Sequence, residues 1–194
     1  MKLLLSILLM AVFTTLSMGQ DVHKRGIESL GIEVQLYPAG TIANLKAAWA
    51  VSTKSMLIGK VGYNMAMRQD FGKHDSEEGG GLGFTAAYKR YLKTGFLGWF
   101  VEARAGMWLL DIDWVDNSPS RSGNTNITVF QPNAGIGYDF KLNEHLKLGL
   151  IAAFGYEVNL ATKGEPVGEG GISLIGISFS HMLGSGRSSK TVTR

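Results

Sequence analysis

Apolar and polar residues alternate along most of this chain, and the clearest example covers residues 146–160. Every even-numbered position of that segment except Ala152 carries a large apolar side chain, whereas the odd-numbered positions are mostly polar or small. A period of two places alternate side chains on opposite faces, as a β-strand does and a helix does not. The segment is longer than the roughly 5 to 6 residues of an ordinary strand, and it can contain the 9 to 11 residues of a tilted membrane-spanning strand. It predicts a strand that crosses a membrane.

The same alternation recurs in seven further segments and predicts about eight strands. Short and long links alternate between them after the second strand, a rhythm typical of bacterial outer-membrane barrels with short periplasmic turns and longer external loops. The link at residues 38–43 is short for an external loop and fits this scheme least well. The predicted strands are 29–37, 44–52, 55–68, 82–89, 98–109, 130–140, 146–160 and 174–180, with tight links at 52–54, 93–95 and 142–144 and long links at 69–81, 111–125 and 161–170.

The N-terminus has the features of an export signal. Lys2 precedes an apolar run over residues 3–13, and Ser17-Met18-Gly19 provides small residues where a signal peptidase reads them. The run is too short for a membrane-spanning helix, so a helix buried in a protein core is its alternative interpretation. The predicted organisation is a signal peptide at 1–19, an outer-membrane β-barrel at 20–183 and a polar C-terminal tail at 184–194.

Composition narrows the class of protein. The 194 residues include no cysteine, which excludes a disulfide framework and the lipidated cysteine of a lipoprotein. The formal net charge is +3, and no basic cluster with interleaved aromatic residues occurs, so the sequence predicts no nucleic-acid partner.

The polar face of the predicted strands mixes charges of both signs with many glycines and alanines. The interior of an eight-stranded barrel is only wide enough for its own side chains, so small residues and paired charges suit it. A soluble barrel such as a lipocalin, with its polar face in water, is the alternative. The predicted luminal charge network, with a structural role, consists of Glu33, Lys46, Lys60, Lys89, Glu102, Arg104 and Glu157.

On the apolar face, aromatic residues gather near the strand ends. Two aromatic belts around an aliphatic band are typical of side chains at the two interfaces of a bilayer. The fold prediction is therefore all-β, an eight-stranded antiparallel up-and-down transmembrane β-barrel. The predicted belts are Trp49, Tyr88, Trp99, Tyr138 and Phe179 at the inner rim and Tyr63, Phe84, Phe130 and Tyr156 at the outer rim.

This arrangement resembles the small outer-membrane barrels of the OmpA and OmpX type in Gram-negative cell envelopes. The resemblance covers residues 27–183 and rests on architecture, without a diagnostic motif. It implies a charged, water-poor interior, a setting in outer-membrane lipid and lipopolysaccharide, and folding by the barrel-assembly machinery. The residues after Leu183 are too few for an appended peptidoglycan-binding domain.

Two groups of residues are candidates for chemical sites. Asp111, Asp113 and Asp116 could hold a divalent cation, but they lack the further ligands and the turn glycine of a calcium loop. Outer-membrane deacylases resemble serine hydrolases with a His-x-Ser pair, and here only His74-Asp75-Ser76 has that spacing, in a predicted loop. His181 faces the apolar side without a suitable serine. The sequence thus predicts no catalytic residue, no metal and no cofactor.

The functional prediction is a structural or surface-interaction role through the three long external links, whose partner the sequence does not identify. Loops on a rigid scaffold commonly carry such roles. The alternatives are a small porin-like or hydrophobic-solute channel, an outer-membrane lipid-modifying enzyme, and a secreted soluble ligand-binding barrel.

Overall fold

Eight antiparallel strands, hydrogen-bonded in chain order, close into one barrel in the computed structural model, which describes residues 26–69 and 72–183. The predicted eight-stranded up-and-down barrel is therefore confirmed. The predicted signal peptide and polar tail lie outside the described residues. Within the described ranges, no helix is long and apolar enough to span a membrane. The strands are β1 (Ile27–Tyr37), β2 (Gly40–Ala50), β3 (Ser55–Gln69), β4 (Ser76–Tyr91), β5 (Gly98–Asn117), β6 (Ser120–Lys141), β7 (Leu146–Lys163) and β8 (Gly170–Met182).

The apolar stripe of each strand faces outward. Val101 is 47% exposed, whereas its neighbour Glu102 is 2% exposed. The same contrast holds on the other strands, so the sequence assigns inward and outward positions correctly. Exposed apolar surface of this extent is rare on soluble monomers, where contiguous patches seldom exceed a few hundred Å². The barrel thus has the surface of a protein that sits in lipid, and a soluble barrel would need the opposite arrangement.

The strands differ greatly in length around the barrel. β1 and β2 have 11 residues each, enough to cross a bilayer once, whereas β5 has 20 and β6 has 22. The surplus of about ten residues extends about 25 Å past the membrane at the rise and tilt usual for barrel strands. We call this extension, residues 110–129, the external hairpin.

The prediction of a long loop at 111–125 is wrong, because both strands continue to a two-residue turn at Ser118 and Pro119. Alternation persists through this region but its polarity is inverted. Leu110, Ile112 and Trp114 point inward and are buried, while the aspartates between them face out. Apolar inside and polar outside is the arrangement of a sheet in water. The outward apolar stripe of β5 ends at Leu109, so this level marks the boundary of the lipid-facing band on that strand.

The other external links are also shorter than predicted. The link at 69–81 shortens to residues 70–75, and the link at 161–170 shortens to residues 164–169. The link predicted at 38–43 shortens to a two-residue turn, residues 38–39, between β1 and β2. These strand ends extend beyond the apolar band, so their sequence is polar and glycine-rich and lacks the apolar stripe that predicts a strand. At the opposite end, the links predicted at 52–54 and 142–144 are four-residue turns, whereas the link predicted at 93–95 lengthens to residues 92–97. In the turn at 142–145, the Asn143 side chain accepts the backbone N–H of Leu146 at 2.9 Å.

Inward-facing glycines make room for large inward side chains. A Cβ atom on Gly83 would overlap the indole ring of Trp108, and one on Gly137 would overlap the ring of Phe100. Both aromatic rings are almost fully buried. The many glycines of the polar face therefore reflect an interior filled with side chains.

We predict that the cost of an outward charge depends on height along β5. Ala103→Arg places a cation on the lipid-facing side and should destabilise the folded barrel by about 2–4 kcal/mol, whereas Asp113→Arg in the external hairpin should change stability little. Urea unfolding of the barrel in lipid vesicles measures both. Equal effects of the two substitutions would contradict the assigned boundary.

Candidate functional site

A charged layer fills the middle of the barrel interior. Its eight members are at most 7% exposed and come from seven strands, β1 to β7. Inward positions of neighbouring strands converge in a narrow closed barrel, so residues distant in sequence become neighbours. The charged layer consists of Glu33, Lys46, Lys60, Lys89, Glu102, Arg104, Asp139 and Lys147.

Glu102 and Glu33 together form the first centre of this layer. Glu102 lies 2.7 Å from Arg104 Nε, 3.2 Å from Lys60 Nζ and 3.4 Å from Lys89 Nζ. Glu33 lies 2.7 Å from Lys60 Nζ and 3.3 Å from an Arg104 terminal nitrogen. Each carboxylate thus contacts more than one cation. Such multiple pairing is what allows ionised groups to be buried.

Asp139 forms the second centre. Its carboxylate lies 3.4 Å from Lys89 Nζ and 3.3 Å from Lys147 Nζ, and it accepts a hydrogen bond from the Tyr91 hydroxyl. Lys89 also stands 3.6 Å above the centre of the Phe100 ring, a cation–π arrangement. The two centres are linked through Lys89.

Of the seven residues predicted for the luminal network, six lie in the charged layer and Glu157 lies apart. Glu157 is 3.0 Å from Arg68, which is 3.3 Å from Glu77. Arg68 also donates to the carbonyl oxygen of Gly168 at 2.9 Å, while the Gly168 N–H donates to Glu77 at 3.0 Å. This Arg68 cluster fixes the β7–β8 connection to the outer end of the barrel.

Sequence reasoning missed five buried members of these networks. Asp139 and Lys147 occupy inward positions of β6 and β7, so the alternation itself could have identified them. Arg68 and Glu77 lie near strand ends within or beside a predicted loop, where the apolar stripe that marks a strand fades. Tyr91 resembles a rim aromatic in sequence, yet it is 1% exposed.

Apolar side chains pack on both sides of the charged layer. The lumen is consequently layered, with charges in the middle and apolar groups toward each end. The external plug contains Tyr37, Ile42, Ala66, Trp108, Leu110, Ile112, Trp114, Ile127, Val129, Ala153, Val167, Ile172 and Leu174, and the inner plug contains Ala48, Met56, Ile58, Ala87, Tyr91, Phe100 and Ile151.

The external hairpin contacts the β3–β4 connection through His74. The His74 ring stacks on Trp114 with 4.1 Å between centroids, and its Nδ1 lies 3.1 Å from Asp116. Nε2 is buried and has no hydrogen-bond partner among the described residues, so Ser76 does not complete a hydrolase-like triad. His181 instead stacks on His145 at 5.8 Å.

The three aspartates considered for a cation do not converge. Asp111 and Asp113 both accept hydrogen bonds from the side-chain amide of Asn124. Asp116 instead contacts His74 and lies 2.8 Å from Arg121. Partial burial acts to raise the pKa of Asp116, but hydrogen bonds from His74, Arg121 and the Asp75 backbone outweigh it and hold this pKa below the ordinary 3.8.

The nine predicted belt aromatics all lie on the outward face, six of them exposed and three partly buried. At the inner rim, Trp99 packs edge-to-face on Tyr138 at 5.3 Å, and Tyr138 contacts Phe140 at 4.5 Å. Tyr88 donates its hydroxyl to the Ser55 hydroxyl at 2.9 Å. The inner-rim rings lie near strand ends, whereas outer-rim rings such as Tyr63 and Phe130 lie within their strands, which continue past them.

Comparison with known proteins finds no matching protein-family model and no curated protein similar in sequence. Several solved structures are similar. The N-terminal β-barrel domain of Pseudomonas aeruginosa OprF shares 16% identity, with a TM-score of 0.48 over 80% of this chain and 98% of that one. Ail of Yersinia pestis, solved with the heparin analogue sucrose octasulfate, shares 11% identity with a TM-score of 0.45 over 80% and 95%. Neisserial surface protein A shares 9%, with a TM-score of 0.44 over 80% and 94%.

We predict that the charged layer is sensitive to loss of a carboxylate. Glu102→Gln leaves three buried cations without their shared partner and should destabilise the barrel by about 3–5 kcal/mol. Glu144→Gln removes the carboxylate of an exposed turn pair with Lys141 and should have little effect. Urea unfolding of the two variants in vesicles provides the comparison. Equal stability of the two variants would show that the layer does not depend on Glu102.

The contact between Asp116 and Arg121 predicts a pH response in the external hairpin. A depressed pKa in the folded state means that ionised Asp116 contributes stability above pH 3.8, and that this contribution is lost as the pH falls through the folded-state pKa. Carbon-detected NMR titration of Asp116 should show its pKa rising toward 3.8 in Arg121→Gln and staying unchanged in the exposed control Lys163→Gln. An unchanged value in Arg121→Gln would exclude Arg121 as a cause.

Proposed function

We propose that this chain is a barrel of the bacterial outer membrane that acts as a structural and surface-interaction protein through its external hairpin. The observation that carries the proposal is the pairing of an outward apolar band with a lumen filled by side chains. Lipid is the medium that suits the first feature. A barrel without room for a water column suits a scaffold better than a pore.

The strand lengths support the proposed orientation. β5 and β6 extend from one end of the barrel, which matches the longer external side of outer-membrane barrels. The external hairpin then stands above the membrane on the cell surface. Its outward face carries Asp111, Asp113 and Val115, all exposed, on a sheet that is anchored from below.

The layered lumen favours a scaffold function rather than a channel function. An entering solute would meet the external plug, then the charged layer, then the inner plug. Trp108 is 1% exposed and donates its indole N–H to Gln131 at 3.3 Å, so this large ring is held in place. Opening a path would require several packed side chains to move together.

A conductance measurement distinguishes the proposed scaffold function from the porin-like alternative. The purified barrel in a planar lipid bilayer should give no steady conductance above that of the lipid alone. A reproducible ion-selective conductance would instead favour a channel. Migration of the unheated protein on a gel, faster than the boiled form, should verify that the barrel in the assay is folded.

Surface exposure can be tested by labelling because the chain has no cysteine of its own. On intact cells, Asp113→Cys should react with a membrane-impermeant maleimide, because this residue faces out on the external hairpin. Thr94→Cys, in a turn at the opposite end, should react only after the outer membrane is opened. The reverse result would overturn the orientation and the surface role together.

A further inference from the structure

We propose that the barrel interior binds a small inorganic anion of halide size beside Lys46. The first reason is a charge imbalance within the described part of the lumen. The charged layer contains five cations and only three carboxylates, which leaves a surplus of two positive charges. The separate Arg68 cluster, with two carboxylates for one cation, does not contribute a carboxylate to the layer's ion pairs.

Lys46 carries the clearest part of this surplus. It forms no ion pair with a described carboxylate, whereas the other four cations of the layer each form at least one. It faces Lys60 directly across the β2–β3 pair. Like charges opposite each other in a sheet are unfavourable, and Lys60 already contacts both Glu33 and Glu102.

Neighbouring polar groups also have unused hydrogen-bonding capacity. Asn44 lies two residues before Lys46 on the same inward face, is 4% exposed, and its amide nitrogen and oxygen have no partner among the described residues. Its cross-strand neighbour Glu33 contacts Arg104, whose two terminal nitrogens donate no hydrogen bond to a described group. Buried donors of this kind normally have a partner.

An anion beside Lys46 would meet both requirements at once. It would offset part of the positive surplus, and it would accept hydrogen bonds from the Lys46 ammonium and the Asn44 amide. Lys46 is also the most accessible member of the charged layer, at 7% exposure. The crowded lumen restricts the ligand to the size of a chloride or bromide ion.

The proposal predicts bromide-dependent stability of the folded barrel. A ligand that binds only the folded state raises the unfolding midpoint as its concentration rises. Replacing gluconate by bromide at constant ionic strength should therefore raise the temperature at which the compact form disappears on gels. In Lys46→Met this rise should be lost, while the exposed control Lys93→Met should keep it.

A second variant keeps the test decisive if Lys46→Met does not fold. Asn44→Asp supplies a carboxylate of the same shape next to Lys46, so it should fold and lose the bromide dependence. Bromide-soaked crystals of the wild-type barrel should show one anomalous peak within hydrogen-bonding distance of Lys46 Nζ. A midpoint that does not respond to bromide in the wild type, or that responds equally in Asn44→Asp, would overturn the proposal.

Discussion

A closed barrel in lipid must balance its buried charges internally, and the rest of this structure follows from that constraint. The outward face of the membrane-spanning part is apolar, so the ionised groups there point inward and most of them pair across the narrow lumen. Burying an unpaired charge costs far more than any single contact returns. Glu102 with three cations and Asp139 with two show how the interior meets this demand.

The same constraint explains the layering. Charges are concentrated where they can reach one another, while aromatic and aliphatic groups fill the two ends of the lumen. Phe100 of the inner plug contacts Lys89 of the charged layer, and this cation–π contact helps to stabilise the buried ammonium group. Glycine on the adjacent strand makes room for some of the large rings, as Gly137 does for Phe100. Small and large side chains together give a filled interior.

Much of the fold could be read from the sequence because the membrane imposes a strict alternation. Inward and outward positions, strand number and closure all follow from the apolar stripes of residues such as Leu150 and Val101. The external hairpin was missed because the stripe changes sides above Leu109, although Asp111-Ile112-Asp113-Trp114 still alternates perfectly. Ion-pair partners are harder to predict from the sequence. The pairing of Glu157 with Arg68, for example, depends on the stagger between strands, which alternation does not determine.

The exposed end of the molecule remains a paired sheet up to the turn at Ser118 and Pro119. Most surface-exposed segments that recognise partners must give up conformational freedom when they bind, and this loss reduces their affinity. Here the segment is a paired sheet whose inner side is packed and whose His74–Trp114 stack holds it to the neighbouring connection. The proposed recognition by this surface would proceed between preformed shapes, so its affinity would depend on complementarity more than on induced ordering.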